Sequence, residues 1–312
     1  MELAALLHSI SYAGLWGQAA LTAEQTVDHA ARLGFDGILL AAKRPHVSVL
    51  DYGPKERAEL RRRIEQRGLR AVAIAGYNNF TAGLEHGEVP RLEMEVHYIT
   101  ELARMAHDLG GSLVRIFTGY EHPAAGYAQQ WTLVVRGIRE CCRRAAELGV
   151  TIGVQNHHDL AVGFESQYDL VREVNETNCK ALFDAWAPAL HGADLSAGAR
   201  LLGPLTAHTT AANYQRRPRY RYHPELVNYT AETPAVQAVS MRAGFIDYPR
   251  FWSEMYQAGF RGSVAYEMCS PLAGGGSMEN LDAHAAIFLE MFHEFRAGVM
   301  EYDADKTEAA RR

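Results

Sequence analysis

The chain has 312 residues, of which 48% are hydrophobic and 22% charged, and its formal net charge is −6. This composition provides a large core and excludes a largely disordered chain. The acidic balance argues against a nucleic-acid-binding protein, because such proteins usually carry a positive excess. No stretch approaches the roughly 18 apolar residues of a membrane span, so no membrane partner is predicted.

The N-terminal segment MELAALLHSISYAG contains only a short apolar run and lacks the charged region of a signal peptide. We interpret it as a buried first strand. No CxxC motif occurs, so neither a disulfide framework nor a zinc knuckle is indicated by the four cysteines: Cys141, Cys142, Cys179 and Cys269. Both observations favour a cytoplasmic protein.

Apolar runs of strand length then alternate with helix-like stretches along the chain. The predicted strands are residues 3–9, 36–42, 70–76, 112–118, 150–156, 181–184, 204–209 and 263–268. Between them, apolar residues recur at three- and four-residue steps, which is typical of amphipathic helices. Glycines end several of these stretches, where a left-handed C-cap belongs: Gly34, Gly68, Gly110 and Gly149.

Eight strands that alternate with about eight helices imply parallel pairing through right-handed crossovers. This pattern predicts an α/β protein with a single (β/α)8 TIM barrel, for which 312 residues is a normal length. An open doubly wound sheet would be expected to carry a glycine-rich phosphate turn after its first strand. The segment HSISYAGLWGQ does not match that fingerprint.

Three segments define the predicted domain organisation: the barrel at 1–296, a long insertion after the seventh strand at 209–245, and a charged tail at 297–312. The tail is expected to be a frayed helix end or a disordered segment. The insertion alternates arginine and tyrosine residues in the run QRRPRYRYHPELVNY. It is interpreted as a solvated loop, as a lid with Tyr214 and Arg217 as substrate contacts, or as a subunit interface.

Four predicted strands end at or beside a residue that can bind a metal: Gln155, Asp184, His208 and Glu267. In a barrel, the carboxyl ends of the strands meet at one face, so these side chains are expected to converge. The set combines carboxylate, amide oxygen and imidazole donors. Such a shell suits a catalytic divalent cation such as Mn²⁺ or Mg²⁺ better than a closed structural zinc site.

The Gln155-Asn156-His157 segment, together with Asp184, His208 and Glu267, resembles the xylose-isomerase-like barrel superfamily. That superfamily contains sugar isomerases and epimerases, inosose dehydratase and relatives of the AP endonucleases. The resemblance covers residues 1 to about 296. It implies one divalent metal at the four matched positions, with Mn²⁺ expected and Mg²⁺, Co²⁺ or Zn²⁺ compatible. The metal would bind neighbouring oxygens of a sugar or keto-sugar.

The implied chemistry is enolisation, in which a Lewis acid polarises a carbonyl and a base removes a proton from the adjacent carbon. Glu267 is the predicted base and metal ligand, and His157 is the predicted second acid or base. Two further residues are candidate substrate contacts, and each also has a purely structural interpretation. Arg115 either reaches the barrel mouth or forms a structural ion pair, and His191 either faces the substrate or is a loop histidine.

The chain departs from the family pattern at three positions. The fifth strand usually carries Glu-Asn-His, but Gln155 cannot abstract a proton. Ala161 and Ala187 stand where the keto-sugar epimerases carry a Glu and a His for the substrate. Symmetric two-base epimerisation therefore loses support, and one-base isomerisation, dehydration or β-elimination gains it.

Several alternatives remain open at this stage. The family includes catalytic subunits that cleave C-glycosides or 3-keto-glycosides and pair with a small partner, and a non-catalytic barrel subunit is also compatible with Gln155. A homo-oligomer or a complex with a small second subunit is therefore predicted. Phosphodiester cleavage would need more ligands on the early strands, where only His8 and His46 are obvious candidates.

Overall fold

Eight parallel strands close into a barrel in the order β1-β10-β7-β6-β5-β4-β3-β2. The computed structural model describes residues 3–84 and 87–311, so residues 1, 2 and 312 of the predicted segments lie outside the described residues. The predicted (β/α)8 barrel is confirmed. Its strands are β1 (Ala4–His8), β2 (Gly37–Ala41), β3 (Ala71–Ala75), β4 (Leu113–Ile116), β5 (Thr151–Gln155), β6 (Cys179–Leu182), β7 (Thr206–Ala211) and β10 (Ser263–Tyr266).

Amphipathic helices surround the barrel. They are α1 (Ala23–Leu33), α2 (Pro54–Gln66), α3 (Arg91–Asp108), α4 (Tyr127–Ala146), α5 (Phe164–Val174), α6 (Trp186–Leu190), α7 (Leu195–Leu202), α8 (Tyr248–Gln257) and α9 (Met278–Arg311). Thr22 and Gln25 form a capping box at the start of α1, and Gly34 ends this helix with φ 94°. No helix in the described part of the chain is long and apolar enough to cross a membrane.

Small and aliphatic side chains fill the lower part of the barrel interior: Leu6, Leu39, Ala73, Ala75, Leu113 and Ala265. The larger outer core lies between strands and helices. In it, the Trp252 ring of α8 contacts three phenylalanines of α9: Phe288, Phe292 and Phe295. Because both layers are close-packed, the strand ends at the opposite face have fixed relative positions.

The insertion after the seventh barrel strand is a β-hairpin. β8 (Asn213–His223) pairs antiparallel with β9 (Asn228–Val239), and the segment predicted at 209–245 loses its first residues to β7, which extends to Ala211. Asn213 anchors the hairpin base, because its Nδ2 donates to the carbonyls of Met241 at 2.7 Å and Ile246 at 2.9 Å.

The segment 297–311 is helical and belongs to α9. The Tyr256 hydroxyl donates to Asp303 at 2.6 Å, so this part of the helix contacts α8 of the barrel. The sequence left a frayed helix end or a disordered tail open here, and the structure shows a helix.

Candidate active site

Polar side chains converge in one pocket at the carboxyl ends of the strands. Gln155 is the last residue of β5, Asp184 lies two residues beyond β6, and Glu267 directly follows β10. His157 joins them in the lining of the same pocket. The remaining lining residues are Asn156, Trp186, Ala187, Thr210, Ala212, Tyr214, Tyr248 and Cys269.

The Asp184 carboxylate is the centre of a hydrogen-bond network. Its Oδ1 accepts from the Thr210 backbone N–H at 2.6 Å, and its Oδ2 accepts from the Thr210 hydroxyl at 2.5 Å and from the Gln155 side-chain amide. A carboxylate has about four lone-pair sites, so protein donors occupy most of this acceptor. Burial raises the pKa of Asp184, and the bonds from Thr210 and Gln155 oppose that shift.

His208 does not lie at the pocket. β7 begins at Thr206, two residues later than the predicted strand at 204–209, so His208 is in mid-strand. It lies in register with Leu182 and Ser263, and its Nδ1 is 2.7 Å from the Ser263 hydroxyl. Thr210 takes the strand-end position, because the side chain two residues further along a strand points to the same face.

The side chains that line the pocket do not fit the predicted Mn²⁺ centre of Gln155, Asp184, His208 and Glu267, because His208 is not among them. The described residues contain no group of three or more His, Cys, Asp or Glu side chains placed to hold a metal. Gln155 donates its side-chain N–H to Asp184, so the amide would have to rotate to turn its oxygen to a cation.

Glu267 is the carboxylate of the pocket that can act as a base. Its side chain is 16% exposed and lies beside Thr210 and Cys269, and its Oε1 is 3.9 Å from His8 Nε2. Burial raises the pKa of Glu267, and the Arg115 charge opposes that shift. Once ionised, this carboxylate is a stronger base than an exposed glutamate.

His157 is a neutral hydrogen-bond donor. The backbone N–H of His158 donates to its Nδ1 at 2.8 Å, so Nδ1 accepts and the ring proton lies on Nε2. Burial and the neighbouring His158 and Arg115 lower the pKa of His157 to about 3. The His158 ring stacks on Phe117 and Tyr120 at centroid distances of 4.3 and 4.1 Å, which fixes the loop that carries both histidines.

Asn156 faces away from the pocket centre and positions Asp184. Its Nδ2 donates to the Asp184 carbonyl at 2.9 Å, and its Oδ1 accepts from the Asp184 N–H at 2.7 Å. This reciprocal pair ties the end of β5 to the end of β6. These contacts give Asn156 a structural role.

We expect the substitution Asn156→Ala to lower the free energy of unfolding by about 2 kcal/mol, because the buried backbone N–H and carbonyl of Asp184 lose their partners. Urea denaturation of the variant and the wild type measures this difference. The exposed Gln129→Ala is the control and should change stability by less than about 0.5 kcal/mol. An equally small change in Asn156→Ala would contradict the positioning role.

The predicted substrate contacts separate into two groups. Tyr214 lines the pocket and stacks on Trp186 with ring centroids 4.9 Å apart. His191 follows α6 in an exposed position, and Arg217 is an exposed hairpin residue whose Nε donates to Gln237 at 2.8 Å. Neither of these two lines the pocket. Arg115 points into the barrel interior and is 1% exposed.

Four polar or aromatic pocket residues were not predicted as site residues from the sequence: Thr210, Trp186, Tyr248 and Cys269. Three of them follow a predicted residue by two positions, since Thr210 follows His208, Trp186 follows Asp184 and Cys269 follows Glu267. A period-two count beyond the predicted strand end would have identified Thr210. Nothing local distinguishes Tyr248, which is the first residue of α8.

The structure and sequence of the chain resemble those of known proteins. A family model described as "Xylose isomerase-like TIM barrel" matches residues 27–289. No curated protein matches the sequence. A D-psicose 3-epimerase from Clostridium cellulolyticum H10, solved with D-tagatose, superimposes with a TM-score of 0.70 at 15% identity, over 94% of this chain and 99% of that one.

Two more solved structures share the fold. An L-ribulose 3-epimerase has a TM-score of 0.69 at 16% identity, and the match covers 100% of this chain and 99% of that one. A probable 3-DHS dehydratase from Bacillus anthracis has a TM-score of 0.68 at 18% identity, with coverage of 93% and 99%.

The closed barrel, with a pocket at the carboxyl ends of its strands, places this chain in the class of TIM-barrel proteins. Within that class, this chain belongs to the xylose isomerase-like family.

Proposed function

We propose that the protein is an enzyme that enolises a sugar or keto-sugar at the carbon next to its carbonyl. The observation that carries this proposal is the meeting of half-buried Glu267 and neutral His157 in one pocket, with Trp186 and Tyr214 beside them. The two rings offer flat apolar surfaces to the C–H face of a sugar. The Trp186 Nε1–H is buried and has no partner, so it is available for a sugar hydroxyl.

The proposed reaction requires one base and one donor. Glu267 removes the proton from the carbon next to the carbonyl, and the electron pair moves onto the carbonyl oxygen. The Nε2–H of His157 hydrogen-bonds to that oxygen and stabilises the enediolate. In an isomerisation, the hydroxyl proton of the enediolate moves to the former carbonyl oxygen, and Glu267 returns its proton to the former carbonyl carbon, so that the neighbouring carbon becomes the new carbonyl. In a dehydration, the carbonyl re-forms as the C–O bond of the β-hydroxyl breaks, and the proton of Glu267 leaves with that hydroxyl as water.

Among the described residues that line the pocket, we identify no second base. Gln155 cannot accept a proton, and the oxygens of Asp184 already accept bonds from Gln155 and Thr210. The arrangement therefore favours isomerisation or β-elimination over two-base epimerisation. This is the one-base chemistry expected from Gln155 in the sequence.

Deuterium exchange tests the proposal. The protein is incubated in D₂O with a panel of ketoses, aldoses, inososes and 3-keto-glycosides, and the mass of each recovered sugar is measured. We expect one compound class to gain deuterium at the carbon next to the carbonyl. If no compound gains mass, with and without added Mn²⁺, enolisation is not the activity of this chain.

A partner-dependent subunit is the second candidate, because the hairpin exposes aromatic and apolar side chains: Tyr220, Tyr222, Leu226, Val227 and Tyr229. Rings of this kind are favoured in protein interfaces. A homo-oligomer or a complex with a small second subunit would cover them. Activity that appears in the same exchange assay only after a second polypeptide is added would favour this candidate.

A further inference from the structure

Unpartnered buried polar atoms gather in the barrel interior beside the pocket. They are His8 Nε2, Tyr77 Oη, Arg115 Nε, Arg115 Nη1 and His208 Nε2. Burial lowers the pKa of His8 and His208, and the nearby Arg115 charge adds to both shifts. Buried polar groups normally have partners, so a cluster of this kind indicates a ligand that supplies them.

Arg115 is the charged member of this cluster. It is 1% exposed, and small residues give it room, because it lies in register with Ala75 on β3 and Gly153 on β5. Its guanidinium lies 4.1 Å from the Phe117 ring centroid and 4.9 Å from that of Tyr77. No carboxylate of the described residues forms an ion pair with it. The Glu267 and Asp184 carboxylates act on this charge only without direct contact, so burying the guanidinium is costly, and its ring contacts offset only part of that cost.

Lys43 is a second cation on the same wall. Its ammonium lies 3.9 Å from the centroid of the Tyr77 ring, so Tyr77 contacts both cations. Lys43 is partly exposed at the barrel mouth, and within the described residues no acidic side chain pairs with it. Tyr77 and the pocket residue Cys269 pack against the same buried cluster of Ile10, Ala13 and Ala41, so this wall adjoins the pocket.

We propose that Lys43, Tyr77 and Arg115 bind a carboxylate group of the substrate. This inference rests on the proposed function and narrows its substrate to an acidic sugar derivative, such as a uronate or a keto-sugar acid. Lys43 meets the carboxylate at the mouth, and the Tyr77 hydroxyl and the free N–H groups of Arg115 complete its hydrogen bonds. The anchored substrate would then present its carbonyl carbon to Glu267.

A carboxylate fits this wall better than a phosphate does. Its planar pair of oxygens matches the guanidinium fork. It also carries a single negative charge, whereas a phosphate monoester carries nearly two at neutral pH and would be repelled more strongly by the adjacent Glu267. The deep position of Arg115 also favours the smaller group.

Nuclear magnetic resonance of arginine side chains tests the site without any need for turnover. The full chain is labelled with ¹⁵N-arginine, and the Nε–H resonance of Arg115 is assigned from the Arg115→Lys variant. Glycolate, inorganic phosphate and ethylene glycol serve as carboxylate, phosphate and neutral probes. We expect glycolate to shift the Arg115 resonance saturably and ethylene glycol to leave it unchanged. Lys43→Met should weaken glycolate binding about tenfold, whereas the exposed Lys55→Met should not.

Thermal unfolding in anion-free buffer separates a binding role from a structural one. If Arg115 serves to bind a ligand, Arg115→Met removes a buried charge that has no direct ion-pair partner among the described residues and should raise Tm by about 3 °C. Glycolate should raise the Tm of the wild type and leave that of Arg115→Met unchanged. The exposed Arg136→Met is the control and should keep the response to glycolate.

Several outcomes would overturn the proposal. They are a lower Tm in Arg115→Met, no shift of the Arg115 resonance with glycolate at about 100 mM, and a saturable shift of that resonance with phosphate but not with glycolate. The last of these would assign the wall to a phosphate. If Arg115 binds glycolate but the protein exchanges no proton of any sugar, the carboxylate site is supported and only the proposed function is contradicted.

Discussion

Glu267→Gln is expected to lower kcat/KM for enolisation by about 1000-fold, because positioned general bases contribute rate factors of 10² to 10⁴. The amide keeps the shape and the hydrogen-bonding capacity of the side chain but cannot accept a proton from carbon. Asp184 is the other carboxylate that lines the described pocket, and its oxygens already accept hydrogen bonds from Gln155 and Thr210. The remaining activity should therefore approach that of a site without a base.

The measurement is the initial rate of deuterium incorporation into the substrate found with the panel. The exposed Glu121→Gln is the matched control and should retain the wild-type rate. Unfolding of both variants is followed to show that the barrel is intact. A decrease smaller than tenfold in Glu267→Gln would assign the base to another residue.

The pH dependence of kcat/KM of the wild type is an independent test of Glu267 as the base. Glu267 must be ionised to accept a proton, so kcat/KM should fall as the pH drops through its pKa. Burial raises that pKa above the ordinary glutamate value, which moves the acidic limb of the profile to higher pH. His157, with a pKa lowered to about 3, is already neutral over this range and does not produce the limb.

The barrel could be predicted from the sequence because its signals are repeated and local. Eight apolar runs alternate with amphipathic stretches, and glycines such as Gly34 mark the helix ends. The convergence of Gln155, Asp184 and Glu267 followed from the same pattern, since the strand ends of a barrel meet at one face. These conclusions do not depend on a single strand boundary.

The position of His208 does depend on such a boundary. Pro204 belongs to a short 3-10 turn, Gly203–Leu205, so β7 starts at Thr206 instead of residue 204. The shift of two residues keeps His208 on the inner face but places it one layer deeper, beside Ser263. Side-chain direction was predictable from alternation, whereas depth along the barrel axis required the register with the neighbouring strands.

The hairpin and the wall formed by Lys43, Tyr77 and Arg115 could not be predicted from the sequence, for a different reason. The run from Asn213 to Val239 is rich in charged and exposed residues, so it lacks the apolar alternation that marks a half-buried strand. Lys43 and Tyr77 follow two different strands and meet Arg115 only in the closed barrel. Contacts between side chains that are far apart in sequence leave no local pattern.

We expect this chain to differ from the family pattern in its affinity for a divalent metal. With the Gln155 N–H on Asp184 and Thr210 at the strand end, the wild type should bind Mn²⁺ with a Kd no tighter than about 1 mM. The double variant Gln155→Glu with Thr210→His places a carboxylate and an imidazole beside Asp184 and Glu267. We expect its Kd for Mn²⁺ to reach about 1 µM, a gain of about 4 kcal/mol.

Titration calorimetry with Mn²⁺ measures both affinities, and elemental analysis of the purified wild type measures any metal that it retains. His208→Asn is the matched control, because His208 lies below the pocket and its loss should not change Mn²⁺ binding by the double variant. One tightly held divalent ion per wild-type chain, lost together with His208, would contradict this geometry. It would then require that Gln155 turn its oxygen towards the ion and that His208 reach up to it, as the sequence pattern alone predicts.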